Sequence, residues 1–304
     1  MNEPSAAKRV QFDFEAEFLN GGGLQGQEFR LDIPGDDIED HALAEYLIRD
    51  LRLLMVGKLT ILNKQILSEP HKRTDIRAQR YTSDNQPRCI DLSHTIEDGM
   101  VTYKGLPAPL ICDHLSRAQS RQLYAVGTEF QIGKITMVAN TGTYLDSPFH
   151  RFADGDDISQ LTLPSLTHLD AVVVRATGLN QRALSHHAFV PFDVRGKAVL
   201  VHTGWDVHWR TDQYFENHPY LTADAAEYLQ RAGAVLVGID SYNIDDIGDL
   251  RRPVHTTLLG AGIPIVEHLC GLQQLPTEGL RFSAVPPKVA GMGTFPVRAY
   301  ATLQ

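Results

Sequence analysis

Ala198–Trp205, AVLVHTGW, and Ala234–Tyr242, AVLVGIDSY, bracket the stretch Leu221–Ala234, LTADAAEYLQRAGA. The outer runs are apolar on consecutive residues, the pattern of strands covered on both faces. The middle run reads as a helix. Thr222 stands at its N-cap, Asp224 falls in its first turn and Gly233 stops it. Strand, helix and strand in that order predict an α/β domain, a mixed sheet with flanking helices. Asp170–Gly178, DAVVVRATG, and Cys89–Ile96, CIDLSHTI, read as further strands of that sheet.

Upstream the texture differs. Val10, Phe12, Phe14, Ala16 and Phe18 alternate with polar residues, which predicts a half-buried strand over 9–18. Asn20–Gly26, NGGGLQG, reads as a turn and Glu28–Ile33 as the second arm of a hairpin. Leu43, Leu47, Leu51 and Leu54 recur at helical spacing within 35–57, and Lys58–Leu67 reads as another strand or edge segment. Residues 68–88 are polar and charged and read as a linker. This division gives a small α+β extension, ββαβ, over 1–85 and a main domain over 86–304.

The chain has 304 residues, with 37 acidic against 28 basic side chains and a net charge of -9. An acidic surface repels polyanions, so nucleic acid is excluded as a partner. Cys89, Cys112 and Cys270 are scattered and form no CxxC pair, which argues against a disulfide framework or a cysteine-based zinc site and reads as three buried free thiols. Neither a secretory signal nor an apolar run of about 20 residues is present, which reads as a cytoplasmic protein without membrane contact.

Four segments could carry chemistry. Asn140–His150, NTGTYLDSPFH, combines a flexible Gly142 with Asp146 and His150 around Pro148. Proline disfavours a helix there and predicts a bent strand-to-loop path. A carboxylate and an imidazole so placed suit a metal ligand plus a general acid/base, or a surface turn. His255–Glu267, HTTLLGAGIPIVE, offers two more donor types for Zn²⁺ or Mn²⁺ if a strand and loop return them to one spot, or a structural histidine otherwise. Gly204–Tyr220 carries Trp205, Trp209, Tyr214 and Phe215, which could wall a pocket for a planar substrate or fold a loop onto the core. Gly238–Asp246, GIDSYNIDD, ends a strand in an acidic loop where Asp240, Ser241 or Asp245 could cap a helix. The closing Lys288–Arg298, KVAGMGTFPVR, has a Gly-x-Gly that lets backbone approach a ligand. Phosphate-loop, dinucleotide and GxSxG markers are missing.

Taken in order, IDLSHTIEDGM, TGTYLDSPFH, TGWD with YFENHPYL, VGIDS, HTTLLGAGIPIVE and PPKVAGMGTFPVRA resemble the cyclase family, which includes bacterial kynurenine formamidases and isatin hydrolases. The resemblance runs from about Cys89 to the C-terminus. The family's first motif reads His-x-Gly-Thr-His-x-Asp-x-Pro-x-His. Its leading histidines and aspartate bind one metal, while the aspartate, a later histidine and a glutamate bind a second. Here Asn140 and Tyr144 replace the two histidines.

The resemblance therefore implies one divalent metal, Zn²⁺ or Mn²⁺, on Asp146, His255 and Glu267. It implies His150 as acid/base and hydrolysis of a C–N bond in an N-acyl, formamide or cyclic amide small molecule. Tyr144 could hydrogen-bond the substrate oxygen, and Asn140, Trp205, Tyr214 and Phe215 would contact substrate. A homodimer or homotetramer is implied as well. Two other functions fit the same residues: a metal-independent cyclase, dehydratase or isomerase, and a non-catalytic ligand-binding protein.

Overall fold

The computed structural model describes residues 8–33, 36–51, 53, 55–68, 88–178 and 181–303. The chain divides into two compact units, 1–86 and 87–304. Leu54 and all but the ends of the 68–88 segment lie outside the described residues.

The first unit is a three-stranded antiparallel sheet and one helix. Strands β1 (Lys8–Phe18), β2 (Gly23–Ile33) and β3 (Val56–Ser68) lie in the order β2-β1-β3. Alternation along β1 buries Val10, Phe12, Phe14 and Ala16 on one face. The helix Asp40–Asp50 adds Leu43 and Leu47 to that core. It is shorter than the leucine spacing suggested, and Leu51 is its C-terminal cap. β2 in turn begins earlier than expected, because Gly23–Gly26 pairs with β1 rather than staying in the turn.

The second unit is built on a nine-stranded sheet. The strands of this unit are, in chain order, β4 (Arg88–Asp91), β5 (Leu110–Leu115), β6 (Ile132–Thr136), β7 (Tyr144–Asp146), β8 (Leu169–Arg175), β9 (Ala183–Leu184), β10 (Ala198–His202), β11 (Tyr220–Leu221), β12 (Leu236–Ile239), β13 (Ile265–Glu267), β14 (Leu280–Ser283), β15 (Thr294–Pro296) and β16 (Tyr300–Leu303), of which β5 with β6 and β9 with β11 form separate two-stranded pairs. The sheet runs β15-β7-β13-β12-β10-β8-β14-β16-β4. Its four central strands, β13, β12, β10 and β8, are parallel, and both wings are antiparallel.

Period-two geometry explains the apolar runs of the central strands. Val172, Val174, Val199, Val201, Val237 and Ile239 face one side, where the helices Ala223–Ala232 and Pro253–Gly260 cover them. Ala171, Val173, Ala198, Leu200 and Leu236 face the other side, which is closed by Leu92, Leu269, Leu272 and Phe282 without a long helix. Among the described residues, α-helices thus flank one face only. Each fully buried Val or Leu in this double core contributes about 1.5–3 kcal/mol.

Two expectations change. Cys89 and Cys112 are exposed and Cys270 is half-buried, so none of the three thiols is a core residue. Pro148 does not leave a loop: it opens a single 3₁₀ turn, Pro148–His150, with Pro at a position where its missing N–H costs nothing. No helix among the described residues is long and apolar enough to cross a membrane.

Candidate active site

Strand register assembles the site. β7 lies between β13 and β15, with Tyr144 opposite Glu267 and Asp146 opposite Thr294. Residues directly opposite in neighbouring strands share a face. Tyr144, Asp146, Glu267 and Thr294 therefore point to one side, while Leu145, Val266 and Phe295 join the core on the other. The pairs touch: the Tyr144 hydroxyl donates to Glu267 Oε2 at 2.6 Å and the Thr294 hydroxyl to Asp146 Oδ1 at 2.6 Å.

His150 leaves the 3₁₀ turn just after β7. Its backbone lies so close to Gly293 that a Cβ there would stand 2.6 Å from His150 N and Cα. Within the Gly-x-Gly segment, Gly293 thus admits the close approach of the His150 backbone. His150 Nδ1 is 2.9 Å from the Thr294 hydroxyl. That hydroxyl's one proton goes to Asp146, so Nδ1–H must be the donor in the second bond. For a neutral ring the tautomer follows, with the lone pair on Nε2, which lies 3.9 Å from Asp146 Oδ1 on a side chain 37% exposed. Gly142, on the approach to β7, has φ +69 and sits where a Cβ would meet Ile96 at 2.8 Å, which explains glycine there.

His255 arrives from the helix Pro253–Gly260 and Glu267 from β13, so a helix, a loop and a strand return the two to one spot. Asp245 anchors that helix by accepting the N–H groups of Val254 at 2.7 Å and His255 at 3.1 Å. It also holds His255 Nδ1 at 2.6 Å, which turns Nε2 toward Asp146 Oδ2 at 3.7 Å and Glu267 Oε1 at 3.8 Å. Ligand atoms about 2.1 Å from one tetrahedral ion stand roughly 3.4 Å apart, so this spacing is near that of a shared cation.

Asp146, His150 and His255 bring one donor atom each within 4.8 Å of one another. His150, expected only as acid/base, is thus within reach of the same point. Glu267 stands outside this set, with Oε1 3.8 Å from His255 Nε2 and both oxygens already accepting, one from Tyr144 and one from the Ile244 N–H at 2.6 Å.

The electrostatics favour a cation. Asp146 Oδ2 is buried and has no hydrogen-bond partner. Burial opposes ionisation of Asp146, yet His150 and His255 beside it hold its pKa below the usual value. Burial also disfavours charge on His255, but Asp146, Asp245 and Glu267 carry its pKa up to about 10. Burial pushes Glu267 up to about 7 against the pull of His255. Three buried carboxylates around one imidazole leave negative charge to be neutralised, and a divalent ion on these donors fits that need.

A cavity of about 260 Å³ opens onto the cluster. Asn140, Tyr144, His150, His255 and Glu267 line it, with Asp146 fully buried beneath. Tyr103, Asn243, Arg151 and Arg252, none of them singled out from the sequence, line it too. Two expected roles are corrected. The proton of Tyr144 is committed to Glu267, and burial together with the charges of Glu267 and Asp146 holds its pKa well above 10, so it is neither a ligand nor a free donor.

Trp205, Tyr214 and Phe215 do not line the cavity. The Trp205 indole donates to the Tyr214 carbonyl at 3.0 Å, Phe215 packs on Tyr242 with ring centroids 5.2 Å apart, and Tyr214 is buried with its hydroxyl 2.8 Å from His268 Nδ1. Their aromatic bodies are used for packing. Asp245, named from the sequence as a possible helix cap, does accept N–H groups at the start of the helix Pro253–Gly260, but nothing in spacing or composition marked it as a support for the His255 ring or Thr294 as a support for His150. Asp240 caps no helix. It accepts from Thr203 and Gly204 after β10, and burial pushes its pKa up to about 7.

The Cyclase family model matches residues 90–246. A kynurenine formamidase of Geobacillus thermodenitrificans is 27% identical over 212 residues, 69% of this chain and 95% of that protein. Among solved structures, a potential metal-dependent hydrolase with cyclase activity superimposes with a TM-score of 0.60 at 24% identity, covering 72% of this chain and 99% of that one. Isatin hydrolase A from Ralstonia solanacearum gives a TM-score of 0.62 at 21% identity over 77% of this chain and 96% of its own. These structures share the fold.

Proposed function

The chain belongs to the Cyclase family, and from that premise we propose that it is a hydrolase that uses one divalent metal, Zn²⁺ or Mn²⁺, to cleave a C–N bond in an N-acyl, formamide or cyclic amide. The observation that carries this reading is the buried Asp146 Oδ2, which accepts no hydrogen bond and faces His255 Nε2 at 3.7 Å. The similarity to kynurenine formamidases supports the reaction class.

Asp146, His255 and Glu267 would hold the ion. When bound, it supplies Lewis acidity that polarises a carbonyl and acidifies water. His150 takes a proton from the attacking water at Nε2, its ring held by the Thr294 hydroxyl, and returns one to the departing nitrogen. Asp245 keeps His255 in the tautomer that presents Nε2 to the cavity. Tyr144 fixes Glu267. Asn140 and Tyr144 stand where the family motif has histidines, and a neutral amide and a committed hydroxyl are poor ligands, which supports a single ion rather than two.

The test is turnover of formanilide by chelator-treated protein before and after addition of Zn²⁺ or Mn²⁺. Activity lost on chelation and restored by metal supports the proposal. Activity that survives exhaustive chelation contradicts it and favours the metal-independent alternative.

A further inference from the structure

The wall of the active-site cavity carries two cations, Arg151 and Arg252. Their recorded hydrogen-bond partners are neutral. Arg151 Nε donates to the Thr256 hydroxyl at 3.1 Å, and Arg252 Nη1 donates to the Asp246 backbone carbonyl at 2.9 Å. Arg252 also hydrogen-bonds Tyr103. Among the described residues neither guanidinium has an ion-pair partner, and the nearby Asp249 is held by both Nε and Nη2 of Arg251. In a chain of net charge -9, two such cations on one cavity wall stand out.

Arg252 is also fixed in place. Its φ is +49, a left-handed conformation that non-glycine residues rarely adopt, and Pro253 opens a helix directly after it. Beside it Tyr103 and Leu106 offer apolar surface.

We infer that the cavity selects an amide that also carries a carboxylate. The scissile acyl group sits at the Asp146–His255–Glu267 floor, a planar apolar body lies against Tyr103 and Leu106, and Arg252 receives the carboxylate with Arg151 as a second cation. A guanidinium offers a planar fork of donors that matches a carboxylate, and leaving it without a partner in a part-enclosed site disfavours neutral analogues. This inference rests on the hydrolytic reading for the position of the acyl group, but not for the existence of the anion site.

Two measurements separate them. The first is calorimetric binding of benzoate and benzamide to wild type, Arg252→Gln and Arg151→Gln. The expected result is benzoate bound at least about tenfold more tightly than benzamide, with the preference collapsing in Arg252→Gln and weakening in Arg151→Gln. Equal binding by wild type, or a preference untouched in both variants, overturns the anion site. The second is kcat/KM for formanilide against its ortho, meta and para ring carboxylates. At least one carboxylate form should exceed formanilide about tenfold, and that ratio should fall toward one in Arg252→Gln. Hydrolysis of all four at similar rates by wild type and variant leaves the hydrolase standing and removes the selectivity. Arginine-dependent benzoate binding with no turnover of any anilide leaves the anion site standing and removes the hydrolase.

Discussion

His255 and His268 are both buried in the same unit, and their protonation is driven in opposite directions. Burial pulls each toward neutrality. Around His255, Asp146, Asp245 and Glu267 reverse that pull and carry its pKa up to about 10. Around His268 stand Tyr144, Trp209, Tyr214 and Tyr242, and burial takes its pKa down to about 3. His94, stacked on Trp209 at 3.9 Å, and His218, beside Tyr242, follow His268, each lowered to about 4. One region is a charged cluster poised over a cavity, and the other is an aromatic block whose imidazoles act as flat, neutral packing groups. The residue type is the same, and its neighbours decide between chemistry and packing.

The comparison breaks most readily at Asp146. Asp146→Asn keeps the shape and removes the charge, so kcat/KM should fall roughly a thousandfold, the scale of several kcal/mol of metal-assisted catalysis. Turnover within tenfold of wild type would place the chemistry elsewhere. Asp245→Asn should weaken metal affinity about 10–100-fold by releasing the His255 tautomer, with a smaller effect on folding. Unchanged affinity by metal titration would reduce Asp245 to a helix anchor.

The aromatic block makes a prediction about pH. A neutral buried imidazole takes a proton only below about 4, and an unfolded one below about 6.5. Between those values the unfolded chain holds more protons, so stability rises with pH there and is lost as pH falls. Asp240 and Glu267, both raised to about 7, act in the opposite sense over much of that range, so the clean readout is a difference. His94→Phe keeps the stack on Trp209 and should flatten the wild-type dependence by about 1.4 kcal/mol per pH unit between pH 4 and 6.5, seen in denaturant melts. Parallel curves would mean that His94 is charged in the folded state. The smallest effect belongs to Tyr214→Phe, which removes a hydrogen bond to His268 worth about 1 kcal/mol and should lower Tm by about 2–4 °C with turnover nearly intact. A large loss of turnover would move the block into the active site.

Much of the fold was readable because period two and period 3.6 are written into it. Val199, Leu200 and Val201 announce a strand buried on both faces, and Leu43 and Leu47 announce a helix with one buried side. The β5–β6 ribbon gave no such signal, because nearly all of its residues are exposed and no face needs to be apolar. In the site, Asp146, His150, His255 and Glu267 were found by motif order, while their convergence depends on the β13-β7-β15 register, which no local pattern encodes. Thr294 reaches Asp146 and His150 from the distant strand β15, Asp245 holds the His255 ring through a loop-to-helix contact, and Arg252 lines the cavity from a left-handed turn, none of which a local pattern encodes. The aromatic loop misled for a physical reason: Trp and Tyr side chains that could wall a pocket also fill a core, and composition does not distinguish the two.

The most direct measurement is the metal stoichiometry of chelator-stripped protein titrated with Zn²⁺ or Mn²⁺, alongside Asp146→Asn. One ion per chain, with binding abolished by the substitution, is the predicted result. Two ions per chain, or one bound equally well without the Asp146 carboxylate, would contradict the site as drawn.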